Sequence, residues 1–164
     1  MALRELRPDD EAELLRIHRT REVARWWGEP EAGFPWSDDP GCQRLAIEVD
    51  GRVAGMIQFD EEQAPRYRHA SIDLFVEPRL HGRGVGPEAI GLLVRHLADV
   101  RGHHRITIDP ATSNTRAIRA YEKAGFQTVG VMRCYERDVD GDDWHDARLM
   151  ELVVGASCAR AKHA

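Results

Sequence analysis

Between an apolar strand-like run and an amphipathic stretch stands His81-Gly82-Arg83-Gly84-Val85-Gly86, with glycine at alternate positions. A strand, a glycine-rich turn and a helix start together make an anion site. The first backbone N–H groups of a helix have no intrahelical partner and point outward, and the helix dipole favours negative charge there. Glycine lets the backbone approach an anion that a side chain would hold off. No Gly-Lys-Ser/Thr ending follows, which excludes a Walker-type nucleotide loop. Pro87 takes the place of the third glycine of a dinucleotide fingerprint, so that reading weakens as well. In the first helical turn Pro87 is acceptable, because its missing N–H would be unpaired in any case. A tight turn with no ligand explains the same glycines equally well.

Carboxylates are the second group able to do chemistry. Asp73 alternates with Ile72 and Leu74 and so faces away from them. Asp109, followed by Pro110, closes a short apolar run, and Asp146 stands near the end of the chain. Plain alternatives exist for each: a solvent-facing aspartate, a strand terminator and a surface residue. Trp26 and Trp27 are adjacent. On a helix one of such a pair goes to the core, which leaves Trp27 for a cleft wall.

These residues need elements to position them. Leu3 to Arg7 alternates as a short strand, and Asp9 or Asp10 can cap a helix carrying Leu14, Leu15 and Ile17. Glu22 to Trp27 is helical, and residues 28–43 form a loop rich in Gly, Pro and Asp. Arg44 to Val49 and Arg52 to Phe59 flank Asp50-Gly51, a two-residue hairpin signal. Ala70 to Val76 is a strand, and the stretch after the glycine loop carries Ile90, Leu93, Val94 and Leu97 on one helical stripe. Arg105 to Asp109 is a strand, Asn114 to Ala124 a helix closed by Gly125, and Phe126 to Arg137 a strand. Asp140-Gly141 marks a turn before a last strand from Trp144 to Val154. The order predicts one α/β domain over residues 1–154, a mixed sheet flanked by helices, with a frayed tail over 155–164.

Two motifs in this order resemble the GNAT superfamily of N-acetyltransferases. One is Ile72-Asp73-Leu74-Phe75-Val76 followed by Arg79-Leu80-His81-Gly82-Arg83-Gly84-Val85-Gly86. It looks like the family's coenzyme A motif, with His81 standing where Gln or Arg is usual. The other is Asp109-Pro110, Asn114, Arg116-Ala117-Ile118 and Tyr121-Glu122-Lys123-Ala124-Gly125-Phe126. The resemblance spans roughly residues 3–153 and is nearest to the aminoglycoside 6′-N-acetyltransferases.

The resemblance implies a GNAT fold, a central and mostly antiparallel twisted sheet, with acetyl-coenzyme A as cosubstrate. It implies that the amides of Arg83, Gly84, Val85 and Gly86 hold the pyrophosphate, with His81, Gly82 and Asn114 beside it. Backbone near Phe75 and Val76 would pair with the pantetheine arm. Tyr121 matches the tyrosine that protonates the thiolate, and Asp73 becomes the base or anchor for the amine. Trp27, Asp109 and Asp146 complete the expected substrate residues. Acetyl transfer needs a neutral amine, so a carboxylate or a water chain must take the ammonium proton. The rivals are acetylation of a siderophore precursor, a polyamine or a protein N-terminus, and a non-catalytic acetyl-coenzyme A-binding module.

The bulk properties agree with that reading. A chain of 164 residues is one ordinary domain. The formal charge of -5 argues against nucleic acid as a partner and suits a cationic small molecule. Three cysteines, Cys42, Cys134 and Cys158, are widely spaced and form neither a disulfide framework nor a metal pair. His103-His104 lacks partners at zinc-ligand spacing, so both read as surface histidines and no metal is expected. No apolar run approaches the roughly 20 residues that span a bilayer, and Met1 to Arg7 carries no secretory apolar core. A cytoplasmic monomer or homodimer, with no membrane partner, is the expectation.

Overall fold

A computed structural model describes residues 1–36, 39–139 and 141–155. Seven strands and four α-helices follow one another as β1 (Ala2–Glu5), α1 (Glu11–His18), α2 (Arg21–Trp27), β2 (Cys42–Val49), β3 (Arg52–Glu62), β4 (His69–Val76), α3 (Val85–Arg95), β5 (Arg105–Ile108), α4 (Thr115–Lys123), β6 (Gln127–Arg137) and β7 (Trp144–Val153). This is the expected order, with termini moved by a few residues. The expectations for Asp140 and for the tail beyond Gly155 lie outside the described residues.

The strands form one sheet in the order β1-β2-β3-β4-β5-β7-β6. All neighbours are antiparallel except β4 and β5. The β2–β3 hairpin turns at Asp50 and Gly51, both at positive φ (49° and 74°), the conformation a two-residue turn requires. Strand alternation divides the core in two. Ile57, Ile72, Ile106 and Met150 pack under Ile90, Leu93 and Leu97 of α3 and its continuation, with Ile118 and Tyr121 of α4. On the opposite face Met56 and Phe75 meet Leu14 and Ile17 of α1, Val23 of α2 and Phe34 of the following loop.

The one parallel pair is short. Only Ala70↔Ile106 and Ser71↔Thr107 are in register, after which β4 and β5 splay apart. Up to Val76, β4 stays on β3, and Gly55 is what lets it lie so close. A Cβ there would fall 2.2 Å from the Phe75 carbonyl oxygen. The sheet therefore opens along one edge of residues 72–76, which predicted strand patterns alone do not show.

Several local expectations change. Asp10 stands at the N-terminus of α1, but its carboxylate accepts from the Arg7 N–H (2.7 Å) and the Arg4 guanidinium rather than from helix amides. His103 is not a surface residue: it is 2% exposed and pairs with the buried Glu61, which also takes Arg101. A guanidinium and an imidazole satisfy one carboxylate there, the arrangement that makes burying a charge tolerable. The Arg101 guanidinium, and then His103, hold the Glu61 carboxyl down to about 2 against the cost of burial. His18 is also buried and sits edge-on to Trp27, Phe34 and Phe75.

Candidate active site

The splay between β4 and β5 opens into a cleft of about 1120 Å³. At one end lies the glycine loop. Gly82 and Gly84 take positive φ (75° and 84°), and Gly84 caps α3 without any side-chain hydrogen bond. The first amides of this eleven-residue helix are thus left to whatever occupies the cleft. A Cβ built on Gly82, Gly84 or Gly86 meets nothing within 4 Å, so the cradle is open. Arg116, Arg119 and Lys123 of α4 line the same cleft. Asn114 lines it too, and its side chain accepts from the Ala117 N–H at 3.2 Å, capping α4 as the sequence suggests. This donor set suits a phosphorylated anion.

Two loop residues behave differently from the expectation. Arg83 does not line the cleft, and its N–H turns back to the Leu80 carbonyl at 3.2 Å. His81 lines it, but its Nε2 donates to the Val76 carbonyl at 2.8 Å, as only a protonated Nε2 can. Burial first, and the Arg116 charge second, push the His81 imidazole below its usual range. His81 therefore braces the loop against the end of β4. Gly82, Gly84, Val85 and Gly86 remain as the lining cradle, with Phe75 and Val76 on the opened strand.

Carboxylates gather further along. Asp73 is ringed by protein but open to the water of the cleft, and its Oδ1 accepts the Leu74 N–H at 2.8 Å. The splay of β4 from β5 is what frees that amide. Desolvation leads, with the charges of Asp109, Glu136 and Asp60 adding, and the Asp73 carboxyl is pushed up to about 7. Tyr121 is 6% exposed and lines the cleft. Burial, then Asp73 and Asp109, raise its phenol well above the ordinary tyrosine range. Both groups thus hold their protons more tightly than in water, because desolvation first, and neighbouring carboxylates second, disfavour their charged forms.

Trp27 lines the cleft and stands edge-on to Phe75, ring centroids 5.1 Å apart. The two tryptophans do not divide between core and cleft: Trp26 is also half-buried and also lines the cleft, stacked under the Arg25 guanidinium. Asp109 lines it just past the end of β5. Asp146 does not line it. Its carboxylate accepts the Cys134 N–H at 2.9 Å, a contact internal to the β6–β7 hairpin.

Sequence reasoning missed the opposite wall, made by Tyr135, Glu136, Asp138 and His145. His145 bridges Asp138 (2.8 Å) and Glu136 (3.2 Å), and Asp109 raises the Tyr135 phenol above the ordinary tyrosine range. Among the described residues no group of three or more His, Cys, Asp or Glu is placed to hold a metal ion, and no helix is long and apolar enough to cross a membrane.

The model of the acetyltransferase (GNAT) family matches residues 2–126. The chain belongs to this family. It is an N-acetyltransferase, and its mixed sheet with flanking helices is the GNAT fold. Among its relatives is the L-amino acid N-acetyltransferase AaaT of Escherichia coli K12, 30% identical over 118 residues, 71% of this chain and 72% of that one. The aminoglycoside N(6')-acetyltransferase type 1 of Klebsiella pneumoniae is 28% identical over 155 residues, covering 80% of this chain and 76% of that protein. In three dimensions the chain is similar to the spermidine N-acetyltransferase of Vibrio cholerae, solved with CoA and spermine. The TM-score is 0.75 at 18% identity, over 93% of this chain and 94% of that one.

Proposed function

We propose that this GNAT enzyme transfers acetyl from acetyl-coenzyme A to a primary amine of a small polycation, the 6′-amine of an aminoglycoside, by direct attack in a ternary complex. One observation carries the reading: one cleft is lined both by the amides at the start of α3 with the cations of α4 and by the carboxylates Asp73, Asp109, Glu136 and Asp138, of which Asp109 and Glu136 act on Asp73. A phosphorylated cosubstrate and a polycationic acceptor are each drawn to the groups of opposite sign. The kinship with an aminoglycoside N(6')-acetyltransferase supports the choice of amine.

Acetyl-coenzyme A supplies the activated thioester. The residues that would hold it are the amides at Gly84, Val85 and Gly86, with Arg116, Arg119 and Lys123 along α4. Asp73 works at the acceptor end. A carboxyl pushed up to about 7 accepts a proton from an ammonium, directly or through a water, close to neutral pH. Once ionised it also anchors the substrate's charge. Asp109 and Glu136 add to that anchor, and Trp27 closes the side of the cleft.

Tyr121 serves the leaving group. Its raised phenol keeps its proton at every working pH, so an O–H is always ready to face the departing sulfur. A thiolate, whose acid has an ordinary pKa of about 8.5, is a weaker base than a phenolate, whose acid has about 10, and the raised Tyr121 phenol widens the gap, so full transfer from tyrosine is uphill by at least about 2 kcal/mol. Tyr121 therefore donates a hydrogen bond to the developing thiolate, and the proton released by the amine completes the balance.

The test is coenzyme A thiol release across 6′-amino and 6′-hydroxy aminoglycosides, polyamines, amino acids, hydroxylysine-type siderophore precursors and short peptides. Turnover concentrated on 6′-amino aminoglycosides and lost in Asp73→Asn is expected. Turnover of another amine class would remove the substrate assignment. Tight acetyl-coenzyme A binding with no turnover would favour a binding module.

A further inference from the structure

Asp146 sits outside the cleft, yet three features of its surroundings converge on the cleft's acidic wall. First, β6 loses register with β7 between Met132 and Glu136, and Cys134 within that break adopts φ 48°. A non-glycine residue in the left-handed region needs support from its surroundings. Second, Asp146 gives that support: its carboxylate accepts the Cys134 N–H at 2.9 Å. Third, the Asp146 carbonyl accepts the Thr112 N–H at 2.9 Å, next to the bridge between Ala111 and Ala147. One residue thereby ties the bulge of β6 to the loop that follows Asp109.

The consequence lies two residues away on each side. Past the bulge, Tyr135 and Glu136 both line the cleft, with Asp109 near enough to act on the Tyr135 phenol. Between Met132↔Ala147 and Glu136↔His145, β6 carries two residues more than β7, and this irregularity lets the adjacent Tyr135 and Glu136 both line the cleft, where a regular strand would turn them to opposite faces. We infer that Asp146 is a positioning residue for acceptor binding, pinning the β6 bulge so that Tyr135 and Glu136 face the substrate. It acts as a hydrogen-bond acceptor rather than as a negative charge on the substrate. This rests on reading the cleft as the acceptor site.

The two roles separate cleanly in three variants, Asp146→Asn, Asp146→Ala and Asp146→Ala with Cys134→Gly. Asparagine keeps an acceptor oxygen and loses the charge, alanine loses both, and glycine takes φ 48° without support. Asp146→Ala should raise KM for the amine about tenfold, the lower end for a hydrogen bond to a charged group. Its kcat should change less than about threefold, and KM for acetyl-coenzyme A should stay put. Asp146→Asn should stay near wild type, and the added Cys134→Gly should recover most of the loss. Amide exchange of segment 132–136 gives a readout independent of turnover, and it should quicken in Asp146→Ala and stay near wild type in Asp146→Asn.

Asp146→Asn as impaired as Asp146→Ala would overturn the inference, because the charge would then be what matters. A lowered Tm with KM unchanged would do the same, reducing Asp146 to a fold contact. Should Asp146→Ala not fold, the comparison of Asp146→Asn with the double variant decides in the same way. If the wild-type chain acetylates no amine, the substrate reading falls by itself. The pin is then judged on exchange, and unchanged protection in Asp146→Ala sinks it.

Discussion

Asp73→Asn should make the protein more stable at alkaline pH while abolishing its chemistry. In the folded chain the Asp73 carboxyl is pushed up from 3.8 to about 7 by desolvation and by neighbouring carboxylates. An acid whose pKa rises on folding binds its proton more tightly in the folded state. Stability from this group is therefore greatest at low pH, falls as pH climbs from about 4 to about 7, and reaches its full deficit above that. Three units at 1.36 kcal/mol each set a ceiling of roughly 4 kcal/mol. The carboxylate opens onto cleft water, which screens it, so about 1–2 kcal/mol is the working figure. For a chain of this size each kcal/mol moves Tm by about 2–4 °C. Asparagine removes the charge but keeps an oxygen for the Leu74 N–H. Differential scanning calorimetry should therefore find Asp73→Asn roughly 2–8 °C above wild type at pH 8, with the gap closing near pH 4. In wild type, kcat/KM should rise with pH around a midpoint near 7. A gap that is the same at both pH values, or a variant less stable at pH 8, would refute the idea that Asp73 is a crowded, destabilised carboxylate.

Other expectations concern separate parts of the molecule. Tyr121→Phe should lower kcat roughly 100-fold and leave KM for acetyl-coenzyme A nearly unchanged, as steady-state kinetics would show. Gly84→Val, at φ 84° in the open cradle, should weaken acetyl-coenzyme A binding by about 100-fold in a calorimetric titration and cost about 1–2 kcal/mol of stability. Glu61→Gln, far from the cleft, should cost roughly 3 kcal/mol without altering KM, because Arg101 and His103 lose a buried partner. Since the Glu61 carboxyl is held down to about 2, its contribution is complete above about 4.5 and disappears as pH falls toward 2, which acid unfolding of the two proteins would reveal.

Much of this architecture can be read from the chain because local signals agree with the global fold. Asp50-Gly51 dictates its hairpin, Asn114 and Gly125 bracket α4, and the stripe from Ile90 to Leu97 faces the sheet. The glycine loop is legible for the same reason. Its chemistry depends on backbone, and backbone freedom is written in glycines.

The acceptor wall is not legible, because it depends on a register break. Nothing in Met132-Arg133-Cys134-Tyr135-Glu136 signals a bulge: no glycine marks the left-handed residue, and the supporting carboxylate lies twelve positions on. Alternation carried past Cys134 puts Tyr135 and Glu136 on opposite faces, whereas both line the cleft. The buried histidines escape for a similar reason. His103 becomes tolerable inside only because Glu61, forty-two residues earlier, meets it across the fold. His18 is covered by Phe34, from a stretch that composition alone marks as loop. Sequence spacing reports neighbours along the chain, and these contacts are long-range.

The divergence of β4 from β5 has a mechanical consequence. Strands β1 to β4 and β5 to β7 form two half-sheets, and among the described residues backbone pairing joins them only through Ala70↔Ile106 and Ser71↔Thr107. What lies across the gap beyond that seam is side-chain packing from α3 and α4. A ligand filling the gap bridges both halves and acts as a missing strand. Its binding energy then appears as cohesion between the halves, growing as RT ln(1 + [L]/Kd). The seam is where the empty molecule should breathe first, with amides of residues 72–76 exchanging ahead of those in β2 and β3. Saturation with the cosubstrate should slow them most, so that the enzyme becomes one solid body only when it is loaded to react.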